Sequence, residues 1–278
     1  MKKKLKKFKL PSMIFLLLVA LFNLYPLFYL LFYSLKTKEE IFFTNPFGLP
    51  GVPQFSNYIR AFQAFDIPSY FLNSVIVTGV SILCIILIAA PFAYATTRMK
   101  WKLRGLASTY IMLGLFIPIQ VIIIPISILV RDLHLSNTHL ALIIPYVAFN
   151  LAFTSMVLSA TMHDIPKEME ESACLDGAGI FRIFSHIIMP LSKPAVATGS
   201  IFAFLNVWNE YTLASVMITK NTVKTLPVGL SSFVGQRSTD WGAMGASLVL
   251  ASIPTIVIYL LCSEQVEKAL TIGGAVKG

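Results

Sequence analysis

The sequence is short of charge. Only 13% of its 278 residues are Asp, Glu, Lys or Arg, while 56% are hydrophobic and the mean hydropathy is +0.76. Soluble domains carry roughly 25% charged residues, so an ordinary water-soluble globule of this length is excluded. Cysteine is scarce as well. Cys84, Cys174 and Cys262 stand far apart and form no metal or redox spacing. Free thiols are expected, and no disulfide framework is implied. No G-x-x-x-x-G-K-[ST] phosphate loop occurs anywhere in the chain, so ATP chemistry of that kind belongs elsewhere. His134, His139, His163 and His186 have no metal-ligand company, and no recognisable nucleophile motif is present. No catalysis and no metal site are expected. An internal repeat at a fixed period is also lacking.

Long uncharged runs take the place of these features. Lys, Arg, Asp and Glu are absent from Leu10–Leu35, Ile67–Thr97, Gly105–Val130, Leu133–His163 and Trp241–Ser263, and Pro194–Thr219 is broken only by Glu210. About 20 apolar residues cross a hydrocarbon core. An all-α polytopic membrane protein is therefore expected, with six spans near 12–35, 70–97, 106–130, 139–162, 194–218 and 242–262. The runs are too continuous for the alternating strands of a membrane barrel. The first is longer than a signal-peptide core and has no small-residue cleavage site after it, so it is expected to remain as an anchor. Prolines 91, 118, 125, 145 and 254 fall inside the spans and mark kinks. In the loop after the first span, SNYIRAF is expected to begin a short helix with Ser56 or Asn57 as its cap.

Charge placement orients the chain. With an inside N-terminus and six crossings, fifteen Lys/Arg fall inside and seven outside. Among the short loops, four basic residues in RMKWKLR face a single Arg131 across the membrane. By the positive-inside rule both termini, residues 1–11 and 264–278, are expected to be cytoplasmic. The net charge of +9 is thus a topology signal and not a nucleic-acid footprint.

The inside segment 163–193 is the most polar interruption: HDIPKEMEESACLDGAGIFRIFSHIIMPLSK. Asp164 is placed to cap a helix with Pro166 in its first turn, and Glu168, Glu170 and Glu171 sit near its positive dipole end. Asp176-Gly177 ends it, with Gly177 suited to a left-handed cap. Ile180, Phe181, Ile183, Phe184, Ile187 and Ile188 then recur at helical spacing until Pro190 stops or bends the chain. The periodicity leaves two readings open. One is an amphipathic connector resting on the headgroups. The other is a surface for a protein partner, which suits an acidic helix better than an anionic inner leaflet does.

At these residues the chain resembles a family. EESACLDG…IIMP looks like the cytoplasmic loop motif of bacterial ABC-importer permeases, EAA-x3-G-x9-I-x-L-P. Glu171, Ser172 and Ala173 fill the first part, Gly177 follows, and Ile187, Met189 and Pro190 close it, with Ser172 and Met189 the two departures. NYIRAF, YFLNSVIVT, IPIQVIIIPISILVRDLHLSNTHLALIIPY, TLPVGLSSF, TDWGAMGAS and GAVKG are similar to the carbohydrate-uptake, maltose-type branch. That resemblance implies a permease subunit of an ATP-driven sugar importer. It implies a second permease, expected to be a different chain, two ATP-binding subunits and an extracytoplasmic sugar-binding protein. No cofactor is expected on this chain, with ATP and Mg on the partner ATPase. It also implies a coupling interface made of Glu170, Glu171, Ser172, Ala173, Asp176, Gly177, Ile187 and Pro190. Glu171 would be the charged contact, Gly177 would make the turn, and Ile187 and Pro190 would anchor the second helix.

Some polar residues inside the spans are candidates for a substrate pathway. Glu210 is the only carboxylate within a span, and Asn206, Asn209 and Tyr211 surround it in NVWNEY. Intramembrane ionisable groups are functional hypotheses by default, and the alternative for Glu210 is an interfacial carboxylate near the outer rim, beside Trp208 and Tyr211 of an aromatic belt. Asn73 and Asn150 are further candidates, with helix–helix hydrogen bonding as the alternative use of each amide. An ion-coupled secondary transporter is the competing reading, but it calls for several buried carboxylates. A DNA-binding helix–turn–helix is disfavoured by the acidic first helix and by the Ile/Phe second one.

Overall fold

The computed structural model describes residues 10–64, 66–231 and 239–263. In chain order its helices are α1 (Leu10–Ser34), α2 (Ser56–Ala64), α3 (Ile67–Thr97), α4 (Arg104–Leu113), α5 (Ile119–Asp132), α6 (Leu140–Asp164), α7 (Glu168–Leu175), α8 (Ile180–Leu191), α9 (Lys193–Trp208), α10 (Thr212–Met217), α11 (Leu226–Ser231) and α12 (Trp241–Leu261). There is no strand among the described residues. The basic residues 1–9, Arg237 and the tail from residue 264 lie outside them.

Two of the expected spans are not single rods. The third is α4 and α5, which meet at 105° around a 3-10 turn, Gly114–Phe116. Pro118 causes the break: it disfavours helical backbone at the preceding residue, and Ile117 is extended at φ −92°, ψ 107°. Pro91, Pro125, Pro145 and Pro254 are all accommodated inside helices. The fifth span ends at Trp208, and a turn at 209–211 separates α9 from α10. The other four, within α1, α3, α6 and α12, are each long and apolar enough to cross a membrane.

The chain divides into two compact units. In the first, residues 10–64, 66–67, 230–231 and 239–252 among those described, α1 is apolar on every face and exposed through most of its length, as a lipid-facing helix is. The first turns of α12 are small: Gly242, Ala243, Gly245, Ala246 and Ser247 are buried. A Cβ at Gly245 would lie 2.5 Å from the ring of Tyr33, and one at Gly242 2.6 Å from the amide of Asn57. These glycines exist for close approach between helices. Asn57 is not the cap expected of it. It is buried and donates Nδ2 to the carbonyls of Ser34 (2.8 Å) and Lys36 (3.0 Å) at the end of α1. Arg60 bonds to Asn57 Oδ1 and pairs with Asp240 at 2.7 Å. Asp240 Oδ1 also accepts the Ala243 N–H at 3.0 Å, capping α12. Burial pushes the Asp240 carboxyl up, but the bonds from Arg60 and Ala243 and the Arg60 charge outweigh it and hold it below its ordinary value.

The second unit, residues 68–229 and 253–263, is organised on α6, the most buried of the long helices. One apolar cluster joins α3, α5, α6, α9 and α10 through Val77, Val130, Leu142, Tyr146, Val207, Leu213 and Met217. A second joins α3, α6, α8 and α9 through Ala89, Ala93, Tyr94, Leu158, Met162, Ile183, Ile188 and Ala195. Gly199 lets α9 close on α6, since a Cβ there would meet Thr154 Cγ2 at 2.8 Å. The second cluster is what the 163–193 loop rests on.

Candidate functional site

The loop begins where α6 ends. Asp164 is the last residue of α6 and caps nothing after it, contrary to expectation, and α7 starts only beyond Pro166, with no side-chain cap. The reason lies in the backbone: α6 runs on through Asp164, and Lys167 takes the N-cap place, its carbonyl accepting the N–H groups of Glu170 and Glu171 at 2.9 and 3.0 Å. Glu168, Glu170 and Glu171 occupy the first turn, where the helix dipole favours anions. At the other end Gly177 has φ +78°. Its N–H reaches the Cys174 carbonyl at 3.0 Å, and the Ala178 N–H reaches that of Ala173 at 2.9 Å, the paired closure of a Schellman cap. Open space surrounds the Gly177 Cα, so the demand for glycine is conformational and not steric.

α7 has two faces. Glu171, Ser172, Cys174, Leu175 and Asp176 are exposed, with Leu175 at 90%. Ala173 is half-buried against the second cluster. Glu170 points the opposite way from Glu171. Its Oε1 lies 2.5 Å from Arg98 Nε, and its Oε2 accepts the Tyr94 hydroxyl at 3.2 Å. Arg98, at the C-terminal end of α3, also donates Nη1 to the carbonyls of Met162 (3.3 Å) and Ile165 (2.9 Å) where α6 ends. The Arg98 side chain is 4% exposed and that of Glu170 18%. Stripping either partner from such a pair strands a charge, a loss of about 3–5 kcal/mol where the pair is fully buried and less here, because Glu170 keeps some contact with solvent.

α8 departs from the expected pattern of anchoring. Ile183 and Ile188 are the buried residues, whereas Ile187 is half-buried and Pro190 exposed. Phe181 is 85% exposed. A π-helical turn, Phe184–Ile188, precedes Pro190. Proline has no N–H and its ring crowds the carbonyl four residues back, and widening the turn relieves both. The sharp bend comes two residues later, at Ser192, where α8 and α9 meet at 72°.

The polar candidates of the spans are largely occupied with holding the fold. Glu210 sits in the break of the fifth span. Its Oε1 accepts the Leu213 N–H at 2.7 Å, and its Oε2 accepts the Ala214 N–H at 3.1 Å and the Tyr146 hydroxyl at 2.6 Å. It is a cap for α10. Asn73 donates to the carbonyls of Thr222 and Lys224, both at 3.0 Å, and its Oδ1 lies 3.0 Å from His139 Nε2. Asn150 donates to the Tyr146 carbonyl (2.8 Å) and accepts from Asn206 Nδ2 (3.0 Å), which ties α9 to α6. Asn206, Asn209 and Tyr211 are exposed, and Asn209 returns its amide to the Leu205 carbonyl at 2.9 Å.

Residues 82–271 match the family described as the binding-protein-dependent transport system inner membrane component. The chain belongs to this family. A putative ABC transporter permease protein of Caldicellulosiruptor sp. (strain Rt8B.4) is 35% identical over 99% of both chains. The melibiose/raffinose/stachyose import permease protein MelC of Bacillus subtilis (strain 168) is 30% identical over 94% of both. Among solved structures, a bacterial ABC transporter involved in import of the acidic polysaccharide alginate superimposes with a TM-score of 0.82, covering 95% of this chain and 98% of that one at 23% identity. The fold is therefore that of an ABC-importer membrane subunit. As a binding-protein-dependent permease the chain is a multi-pass transport component and not an enzyme. An ion-coupled secondary transporter finds no support.

Sequence reasoning missed Arg98, which it used only as one of four loop charges. Its partner Glu170 lies 72 positions later. No local spacing rule links them.

Proposed function

We propose that this permease imports a sugar or oligosaccharide and that the 163–193 loop is the cytoplasmic surface on which a separate ATP-binding subunit docks. The observation that carries the reading is the outward face of α7. Leu175 is 90% exposed, flanked along the chain by the exposed carboxylates Glu171 and Asp176, on a short helix held to the body through Ala173 and Glu170. An apolar anchor rimmed by charge fits a protein partner. The charge count supports a cytoplasmic position for the loop and for both termini. The sugar is supported by the resemblance to the maltose-type branch and by the carbohydrate importers to which the chain is similar.

In this reading residues 12–263 form the membrane domain, between a basic N-terminal segment and a short tail. A second, different permease completes the pathway, an extracytoplasmic binding protein delivers the sugar, and two ATP-binding subunits hold ATP and Mg. Glu171, Ser172, Asp176 and Gly177 shape the docking face. Asn206, Asn209 and Tyr211 are the pathway candidates that remain exposed. Asn73, Asn150 and Glu210 serve the pathway by holding its walls.

The test is co-purification. The chain is expressed with a second permease and the ATP-binding subunit, and retention of that subunit is measured for the wild type and for Glu171→Lys. The reversal is expected to weaken retention while membrane insertion is unchanged. Full retention, or sugar uptake driven by an ion gradient without any ATPase chain, contradicts the reading.

A further inference from the structure

We infer that Arg98 is a positioning residue for energy coupling: with Glu170 it forms the joint through which movement of α7 reaches the end of α3. The inference rests on the docking reading of α7 given above, but its observations are separate. Three chain segments converge on one guanidinium. Arg98 stands at the end of α3, its Nη1 donates to the carbonyls of Met162 in the last turn of α6 and of Ile165 just after it, and its Nε takes a carboxylate from the first turn of α7. Tyr94, one turn earlier on α3, adds its hydroxyl to the other oxygen of the same carboxylate.

Arginine suits this place because its planar fork can serve several acceptors at fixed angles, which a lysine ammonium on a flexible stem cannot. Burial makes the arrangement selective. Arg98 is 4% exposed, so separating α7 from α3 would leave its charge without a counter-ion in a poorly solvated place. The C-terminal half of α7 is held differently, by apolar packing of Ala173 against the cluster that includes Ala89, Ala93 and Tyr94 of α3 and by the cap bonds at Gly177 and Ala178. A force on the exposed face of α7 therefore reaches α3 through Glu170 as a polar joint and through the apolar contact of Ala173. The neighbours Glu170 and Glu171 then divide the work. Glu171 meets the partner, and Glu170 passes the displacement inward. Coupling between two sites needs such an element, biased from both ends.

The experiment places one spin label at the end of α3. Thr97→Cys is labelled in a chain carrying Cys84→Ser, Cys174→Ser and Cys262→Ser, within the assembly of both permeases and the ATP-binding subunits. Spectra are taken at rest and after trapping with ATP and vanadate. With Glu170 intact the label responds to trapping. In Glu170→Ala the subunits are expected to stay bound and to trap vanadate, and the resting spectrum is unchanged, but the response falls about tenfold. Glu170→Gln falls between, because its amide oxygen still accepts from Arg98. Arg98→Lys, which keeps the charge and loses the fork, is expected to lose most of the response, and it is the second route if the Ala variant does not insert and pair with the second permease. An undiminished response in both Glu170→Ala and Arg98→Lys overturns the inference. So does loss of the ATP-binding subunits in Glu170→Ala, which would make Glu170 a docking contact. Failure of the docking reading is distinguishable: it shows as full retention in Glu171→Lys, whatever the label reports.

Discussion

Two polar interruptions in this apolar chain are built in opposite ways. Around Glu210 the carboxylate turns inward and is used up, with both oxygens taken by two backbone N–H groups and the Tyr146 hydroxyl. In the 163–193 loop only Glu170 is used up, while Glu171, Asp176, Leu175 and Phe181 face outward. A satisfied carboxylate stabilises the chain that carries it. An exposed one next to bare apolar side chains is available to another molecule. The contrast shows that the same residue type, in two breaks of the hydrophobic pattern, serves the fold in one place and recognition in the other.

Substitutions can break or sharpen this contrast. The largest effect is expected from Leu175→Asp, which touches nothing internal. Thermal unfolding should stay within about 0.5 kcal/mol of wild type, while retention of the ATP-binding subunit is lost, because an interface anchor carries about 2 kcal/mol or more. Glu210→Ala should do the reverse. It leaves two N–H groups and a hydroxyl without partners and destabilises the chain by about 2 kcal/mol, read as a lowered unfolding temperature, with subunit retention unchanged. Gly177→Val forces a β-branched residue to φ +78° at about 1–2 kcal/mol, with a moderate loss of both stability and retention. The smallest effect belongs to Asn206→Ala, about 0.5–1 kcal/mol for one amide bond to Asn150. Should Leu175→Asp unfold the chain, or Glu210→Ala release the partner, the contrast fails.

How much of this the sequence discloses follows from the range of each interaction. The helical class and the long apolar spans are legible because hydropathy acts over contiguous residues. Gly177 as a stop is legible because a cap is local: its bonds reach back only to Cys174 and, from Ala178, to Ala173. The break at Pro118 was visible as a proline but not as a 105° turn, since Pro91 and Pro145 have the same local signature and stay within helices. Asn57 and Asp164 read as caps because their residue types favour that role. The backbone used neither, since Asn57 found carbonyls at the end of α1 and α6 ran on through Asp164. The Arg98–Glu170 pair and the Glu210–Tyr146 bond join residues 72 and 64 positions apart. Only the packed helices bring them together.

Native Cys174 offers the most direct test of the loop as a docking surface, because it lies exposed on α7 between Glu171 and Gly177. With Cys84 and Cys262 changed to serine, a water-soluble maleimide is added to membranes holding the two permeases, with or without the ATP-binding subunit, and the rate of Cys174 modification is measured. Rapid modification without the subunit and protection with it is the expected result. Equal rates in the two preparations, with the subunit demonstrably bound, would contradict docking at α7.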